Sequence, residues 1–334
     1  MKMLFFINPN AGRSRIRLQL LEVLKLFCNL GWEVRTHITS GPMEIPRVLQ
    51  AEGAQYDMVV TSGGDGTLNE TVAGLLRLEH PPVLGYIPAG TTNDMAASLH
   101  LPMDPMEAAK IIMHGAAMPL DAGTMNGRPF VYVSAFGAFT DITYETPQDA
   151  KKVLGRLAYL LKGATSLGEI RPIHARVIAD GVKHEGDFLL GLICNTRSVG
   201  GFRPPAMEDP AVSLNDGLFE IIFVRDIRNL ADFGEAASQI LRMDLSNPKR
   251  FLNVQAKHVQ VEFDKDIPWT VDGEDGGSCR FADLQNHRHA LRIMVPRAYR
   301  FAPNPGWSQW NTRGFLCSGP LFSRRRAVLE SRSS

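Results

Sequence analysis

Three glycines surround one aspartate in the stretch Ser62-Gly63-Gly64-Asp65-Gly66-Thr67. The apolar run at residues 56–61 predicts a buried strand before it, and the spacing of apolar residues in 67–78 predicts a helix after it. Glycine lets backbone approach a ligand closely, and a helix N-terminus presents N–H groups and partial positive charge. The stretch therefore predicts a phosphate-binding turn in which Asp65 holds a metal ion or handles a proton. The alternative interpretation, a tight turn with a glycine helix cap, does not require three glycines around an aspartate.

Strand and helix patterns alternate through the first 125 residues, which is typical of a doubly wound parallel α/β sheet. The predicted strands cover residues 2–7, 32–39, 56–61 and 82–88, and the predicted helices cover 14–30, 44–52, 67–78 and 105–114. Such sheets bind ligands at the carboxyl ends of their strands. Three loops leave such ends, at residues 8–12, 63–67 and 90–94, and we expect them to converge.

Charged side chains in these loops are candidates for ligand contact. Arg13, Arg15 and Arg17 follow the first loop, and a guanidinium group can bind a polyphosphate, although a solvated helix face also explains them. Asp94 caps the helix that it begins, contacts a ligand, or does both. Neither G-x-G-x-x-G nor G-x-x-x-x-G-K-S/T occurs, which disfavours a dinucleotide oxidoreductase and a P-loop enzyme.

The pattern changes after Asp121 to short strands, the first predicted at residues 129–135, with few helices, which predicts an antiparallel β-sandwich. A helix predicted at about 229–241 covers or connects these strands. Asp180-Gly181 between two alternating runs is a strong hairpin signal. We therefore predict a nucleotide-binding domain at residues 1–125 and a sandwich domain at 126–302, whose last segment packs back on the first domain. Residues 303–334 form a basic tail that we expect to be disordered.

Two acidic turns and one basic helix in the second half are further candidate sites. The turn at 213–218 is an ordinary turn or a cation site that uses Asp216 and neighbouring carbonyl groups. Asp272-Gly273 predicts a hairpin corner, and Glu274 beside it is a candidate general base. The basic helix predicted at 150–167 lies on an anionic membrane or forms a solvated outer face.

Composition excludes several classes of protein. The net charge of +1, from 36 basic and 35 acidic residues, gives no support for nucleic-acid binding. Hydrophobic content of 44% is that of an ordinary globular protein. No apolar run approaches the roughly 18 residues of a transmembrane helix. The four scattered cysteines form neither a metal motif nor a disulfide framework, which favours the reducing cytoplasm.

Four motifs in sequence order resemble those of the diacylglycerol kinase catalytic domain, which sphingosine, ceramide and bacterial lipid kinases share. They are Asn8-Pro9-Asn10-Ala11-Gly12, Gly63-Gly64-Asp65-Gly66-Thr67-Leu68-Asn69-Glu70, Gly90-Thr91-Thr92-Asn93-Asp94 and Val271-Asp272-Gly273-Glu274. Residues 143–147 and 154–159 are similar to the soluble diacylglycerol kinases of Gram-positive bacteria. The resemblance implies a homodimeric enzyme that uses ATP and Mg²⁺ to phosphorylate the primary hydroxyl of diacylglycerol. It also implies a cytoplasmic protein that associates reversibly with the anionic inner face of the membrane and makes phosphatidic acid.

The resemblance also implies a role for individual residues. The ATP site is expected to contain Asn8, Pro9, Asn10, Ala11, Gly12, Thr39, Gly64, Asp65, Gly66, Thr67, Leu68, Asn69, Glu70 and Thr91, with Gly63, Arg13 and Arg17 beside them. Asp65, Asp94 and Asp121 are expected to form an acidic network around a catalytic magnesium ion. Glu274 takes the proton of the lipid hydroxyl. A structural magnesium ion is expected at the carbonyl groups of Ser213 and Leu218 and the side chain of Asp216.

One departure and several alternatives remain at this point. Arg13 stands where close relatives of this kind have a lysine, but arginine is also cationic and binds phosphate. The acceptor could be another lipid, namely a sphingoid base, undecaprenol or phosphatidylglycerol. NAD kinases and phosphofructokinases share a Gly-Gly-Asp-Gly turn, although they lack the partner motifs. A non-catalytic regulator is disfavoured because Asp65, Asp94 and Glu274 are all present.

Overall fold

The computed structural model describes residues 1–12, 15–91, 93–137, 171–195, 214–225, 235–236, 239 and 245–297. Strands and helices alternate in its first part. The strands are β1 (Lys2–Ile7), β2 (Glu33–Ile38), β3 (Met58–Gly63) and β4 (Val83–Pro88). The helices are α1 (Arg15–Asn29), α2 (Glu44–Glu52), α3 (Asp65–Leu75), α4 (Asp94–Ser98) and α5 (Pro105–His114), with a 3₁₀ turn at Gly53–Gln55.

The four strands form a parallel sheet in the order β4-β3-β1-β2. Alternate residues of β1 face opposite sides. Leu4 and Phe6 pack in one buried cluster with residues of α2 and α3, and Met3 and Phe5 pack in another with residues of α1 and α5. A strand that is covered on both faces reads as a continuous apolar run. The predicted doubly wound parallel sheet is confirmed.

The second part consists of antiparallel strands. They are β5 (Ala116–Met125), β6 (Arg128–Phe130), β7 (Val133–Gly137), β8 (Ile173–Ala179), β9 (Val182–Cys194), β10 (Phe219–Arg225), β11 (Phe251–Ala256), β12 (His258–Val271) and β13 (Glu274–Val295). β7 and β8 each pair with both β9 and β12, and β10 pairs with β9 and β11. The predicted C-terminal β-sandwich is confirmed.

Aromatic rings fill the core of this second part. The ring of Phe136 lies 5.1 Å from that of Phe223, 4.8 Å from that of Phe263 and 4.9 Å from that of Trp269, measured between centroids. Offset and edge-to-face contacts at these distances stabilise a core beyond the burial of area alone. The β7–β12 pairing is therefore held by side-chain packing as well as by backbone hydrogen bonds.

The strand β13 connects the two parts of the molecule. It is 22 residues long and pairs with β12, with β5 and, at Ile293, in parallel with Leu84 of β4. The described strands consequently belong to one continuous sheet. The two halves of the molecule are thus held together through backbone hydrogen bonds.

Some elements differ from their predicted bounds. α3 begins at Asp65 rather than Thr67, so the acidic residue lies in the first helical turn. The strand predicted at 129–135 is divided into β6 and β7, and β5 and β11 were not predicted. The predicted basic helix at 150–167, most of the helix predicted at 229–241, and the tail lie outside the described residues. Within the described ranges, no helix is both long and apolar enough to cross a membrane.

Candidate active site

A cavity of about 580 Å³ lies where the carboxyl ends of β1 to β4 face the turn between β12 and β13. Eleven of the residues predicted to bind nucleotide line it: Asn8, Asn10, Ala11, Gly12, Thr39, Gly64, Asp65, Gly66, Thr67, Glu70 and Thr91. Asp94 and Glu274, predicted from separate motifs, line the same cavity. The parallel sheet explains this convergence, because the loops that follow its strands all leave from the same edge of the sheet, at the carboxyl ends of the strands.

Other predicted residues do not line the cavity. Pro9, Gly63, Leu68 and Asn69 are not among the cavity-lining residues, and Leu68 and Asn69 are buried in α3. The guanidinium group of Arg17 donates a hydrogen bond of 2.7 Å to the carbonyl oxygen of Pro9, so it braces the first loop. Arg13 and Ser213 lie outside the described residues.

Glycines allow the three loops to pack against one another. Gly12 has a φ of +54°, and a Cβ atom there would lie 2.1 Å from the carbonyl oxygen of Ala89. A Cβ atom on Gly90 would lie 2.6 Å from the Cα atom of Gly64. Any larger side chain would therefore separate the first loop from the third, or the second from the third.

Asn93 fixes the shape of the third loop. It is fully buried in the left-handed conformation, with a φ of 52°. Its Oδ1 atom accepts hydrogen bonds from the Gly90 N–H at 2.9 Å and from the Tyr86 hydroxyl at 3.1 Å, and its Nδ2 donates to the Gly90 carbonyl at 2.8 Å. These contacts position Asp94, the next residue, at the start of α4.

A fourth loop, between β2 and α2, completes one wall of the cavity. Glu70 of α3 accepts a hydrogen bond of 3.0 Å from the backbone N–H of Met43, which ties this loop to the glycine-rich turn. Burial raises the pKa of Glu70, and the charges of Glu274 and Glu44 act in the same direction. Glu70 thus links two loops while its carboxyl group faces other acids.

Asp272 fixes the turn on the opposite wall. It is buried, and its carboxylate accepts hydrogen bonds from three successive backbone N–H groups, of Val131 at 2.7 Å, Tyr132 at 3.0 Å and Val133 at 2.9 Å. The Tyr132 hydroxyl also donates to the Asp272 carbonyl at 2.6 Å. Burial raises the pKa of Asp272 to about 7, although the three N–H donors oppose this shift. These contacts explain why the chain between β6 and β7 leaves the strand conformation.

Glu274 follows this turn and extends into the cavity mouth. Its side chain is 60% exposed, and its Oε2 atom lies 3.6 Å from Nη2 of Arg128. Its Oε1 atom lies beside the glycine-rich turn, where a Cβ atom on Gly66 would be 3.4 Å away. A carboxylate in this place can accept a proton from a group bound next to α3.

Negative charge is concentrated in the cavity. Five acidic residues line it, namely Asp65, Glu70, Asp94, Asp272 and Glu274, and none of the described lining residues is Lys or Arg. Burial raises the pKa of the Tyr132 phenol well above its usual value, and four of these acids raise it further. An anionic ligand in this cavity therefore needs a cation to accompany it.

Asp121 lies in a second acidic cluster rather than on the cavity surface. Its Oδ2 accepts a hydrogen bond of 2.6 Å from the Gly217 N–H, and its Oδ1 accepts one of 2.7 Å from the His289 N–H. Asp216 accepts one of 3.0 Å from the Leu218 N–H. Burial raises the pKa of both carboxyl groups. The described residues contain no group of three or more His, Cys, Asp or Glu arranged to hold a metal ion.

Comparison with known proteins accounts for this arrangement. Residues 2–125 match the diacylglycerol kinase catalytic domain, and residues 139–295 match the YegS C-terminal NAD kinase beta sandwich-like domain. The diacylglycerol kinase of Bacillus subtilis is 37% identical over 294 residues, which cover 87% of this chain and 95% of that protein. This chain belongs to the diacylglycerol kinase family.

Further relatives agree with this membership. The diacylglycerol kinase of Staphylococcus carnosus is 35% identical over 298 residues, which cover 87% of this chain and 94% of that protein. A crystal structure of a diacylglycerol kinase from Bacillus anthracis superposes with a TM-score of 0.68 at 22% identity, over 89% of this chain and 97% of that one. This last match shows a shared fold.

Several cavity residues of this family member were not predicted. Ser40, Gly41 and Pro42, between β2 and α2, line the cavity, as do Tyr132 and Val133. The first three follow a parallel strand, so the rule that ligands bind at strand ends would have found them. Tyr132 and Val133 gave no local signal, since their position depends on the distant Asp272.

The buried carboxylate of Asp272 generates a prediction about stability. A raised pKa means that the folded state holds the proton more tightly between the unfolded value, 3.8, and about 7. Stability should therefore fall as pH rises through this window, by at most about 1.4 kcal/mol per pH unit. Urea unfolding of the wild type and of Asp272→Asn from pH 4.5 to 8 gives the difference between their free energies of unfolding. The contributions of other titrating groups cancel in this difference. A difference that stays constant, or that favours the wild type as pH rises, would contradict it.

Proposed function

We propose that this protein is an ATP-dependent diacylglycerol kinase, which transfers the γ-phosphoryl group to the primary hydroxyl of diacylglycerol and yields phosphatidic acid. Membership of the family supports the reaction. The observation that carries it furthest is the cavity, where glycine-rich loops from β1, β3 and β4 lie opposite Glu274. Phosphoryl transfer requires positioning and charge neutralisation more than covalent chemistry, and this cavity can supply both.

The glycine-rich loops are suited to a nucleotide triphosphate. α3 is 11 residues long and begins at the cavity wall, so its first N–H groups can donate to phosphate oxygens. Gly12, Gly64 and Gly90 let the three loops pack closely, so that backbone rather than side chains forms this part of the cavity wall. Thr91 adds an exposed hydroxyl group.

The acidic lining suits Mg²⁺ as the companion of ATP. Mg²⁺ is usually held by one or two carboxylates together with substrate phosphates, and Asp65 and Asp94 offer such a pair. The nucleotide phosphates would supply further ligands to such an ion. When bound, the ion neutralises the charge that develops on the transferred phosphoryl group.

A second magnesium site is proposed at the Asp216 turn. Asp216 and the carbonyl groups of Ser213 and Leu218 are oxygen ligands of the kind that this ion prefers. Burial raises the pKa of Asp216 and of Asp121, and the charge of Asp121 raises that of Asp216 further; a bound cation would favour the ionised forms. Asp121 connects the turn to β13 through His289. Its role is therefore to position this turn, and any effect on the cavity passes through the backbone.

Glu274 is the proposed general base. Its exposed carboxylate lies beside Gly66, at the start of the helix that would hold the phosphates. The lipid hydroxyl would donate its proton to this carboxylate while its oxygen forms a bond to the γ-phosphorus atom. The bond between that phosphorus and the oxygen bridging it to the β-phosphate would break, and ADP would leave. The proton then stays on Glu274 until solvent removes it.

The acceptor is tested by measuring transfer from labelled ATP to five candidates in parallel: diacylglycerol, a sphingoid base, undecaprenol, phosphatidylglycerol and NAD. We expect phosphatidic acid as the main product, and transfer that is lost in EDTA and restored by Mg²⁺. Faster transfer to another acceptor would replace diacylglycerol in the proposal. Transfer that persists without divalent cations would refute the metal requirement.

Replacement of the proposed base should affect turnover and leave nucleotide binding intact. A general base contributes about 10²–10⁴-fold, so Glu274→Gln and Glu274→Ala should lower kcat by this amount. Titration calorimetry should give the wild-type affinity for ATP, because the side chain accepts a proton and holds no phosphate. Glu262→Gln, on the exposed face of β12, serves as the matched control. Near-normal turnover in Glu274→Gln would remove Glu274 from this role.

Peripheral contact with an anionic membrane is proposed to bring the acceptor to the cavity. The basic segment at 150–167, which lies outside the described residues, carries Lys151, Lys152, Arg156 and Lys162. Each cation near an anionic surface contributes about 1 kcal/mol, or roughly fivefold in affinity. Homodimer formation is likewise a proposal, and light scattering of the full chain tests it.

Charge reversal in this segment tests the membrane contact. Lys151→Glu with Lys152→Glu should weaken sedimentation with vesicles that contain phosphatidylglycerol by at least about tenfold. Binding to vesicles of phosphatidylcholine alone should be weak for both forms. Equal binding of the wild type to both vesicle types would exclude an electrostatic contact.

A further inference from the structure

Arg128 projects from a hairpin that is docked on β13. Asn126 and Gly127 form the turn between β5 and β6, with φ angles of 49° and 79°. The Asn126 N–H donates to the Asp283 carbonyl at 2.9 Å, and the Asp283 N–H donates to Oδ1 of Asn126 at 2.8 Å. These bonds therefore fix the backbone of Arg128 relative to β13, the strand that begins with Glu274.

The guanidinium group of Arg128 makes two contacts with the start of β13. Its Nη1 donates to the carbonyl oxygen of Asp275, and its Nη2 lies 3.6 Å from Oε2 of Glu274. The planar guanidinium fork allows both contacts at once, which a lysine could not reproduce. Arg128 is not among the residues that line the cavity, so it acts on the cavity by way of its contact with Glu274.

The two oxygens of the Glu274 carboxylate thus face different partners. Oε2 faces Arg128, and Oε1 faces Gly66 at the start of α3. We propose that Arg128 is a positioning residue that holds Glu274 with Oε1 directed at the acceptor hydroxyl. This inference rests on the proposed role of Glu274 as the general base.

Restriction of Glu274 is needed because its side chain is long and 60% exposed. A free glutamate samples many rotamers, and only a few would place Oε1 beside the phosphate-binding turn. This restriction acts on the catalytic step and leaves nucleotide binding unchanged.

The test compares Arg128→Ala with Arg280→Ala in the full chain. Arg280 lies on β13 and makes a similar ion pair, with its Nε 3.4 Å from Oδ1 of Asp266, but its partner is not a cavity-lining residue. A misplaced group lowers turnover by up to about 100-fold, so Arg128→Ala should lower kcat by about 5- to 100-fold with KM for ATP unchanged. Arg128→Lys should recover part of kcat, and Arg280→Ala should behave as the wild type.

A double variant separates this inference from the proposed role of Glu274. In Glu274→Gln, which has no carboxylate to hold, Arg128→Ala should cause no further loss of residual activity. Additive losses, or a raised KM for ATP, would overturn the inference and assign Arg128 to direct contact with phosphate. Wild-type turnover in Glu274→Gln would instead overturn the role of Glu274. A melting temperature equal to that of Arg280→Ala confirms that the fold of Arg128→Ala is intact.

Discussion

The buried carboxylate of Asp272 sets the geometry on which the rest of the site depends. Hydrogen bonds to a charged acceptor each contribute about 1.5–3 kcal/mol, and three of them oppose the cost of burying this carboxylate without outweighing it. Two of the bonded N–H groups belong to the segment between β6 and β7 and the third to the first residue of β7, whereas Asp272 directly follows β12. One side chain thereby fixes both the entry to β7 and the position of Glu274. Arg128, three residues before that segment, fixes Glu274 from the other side.

The two walls of the cavity differ in their chemistry. The glycine-rich loops of the parallel sheet present backbone N–H groups, and their close packing leaves no space for larger side chains. Carboxylates from both halves of the chain line the same cavity as these loops. Such a cavity repels a bare polyphosphate and accepts one that is already paired with a divalent cation. Nucleotide and metal should therefore bind with strong coupling, because the cation reduces the repulsion between the polyphosphate and the carboxylates.

The sequence predicts the local parts of this structure and misses those that depend on distant contacts. The glycine-rich turn, the strand pattern of β1 and the hairpin at Asp180-Gly181 follow from nearest neighbours, and the structure contains all three. The division of residues 129–135 into two strands follows from Asp272, about 140 residues later, which no local pattern reveals. Arg17 and Asp121 illustrate the same limit: ligand contact was expected for Arg17 from its residue type and for Asp121 from the family resemblance, and the hydrogen-bond partners of both side chains are backbone groups. The sequence identifies the chemical type of each side chain, but it does not show which way that side chain points.

The pairing of Leu84 with Ile293 has a consequence for synthesis of the protein. A ribosome adds about 5–20 residues per second, so roughly 10–40 s pass between the emergence of β4 and that of its partner strand. Throughout that interval the nascent first sheet has an open, apolar edge, which is a template for pairing with another chain. We therefore expect the yield of folded protein to depend on chaperone protection of β4 during translation, however stable the finished sheet is.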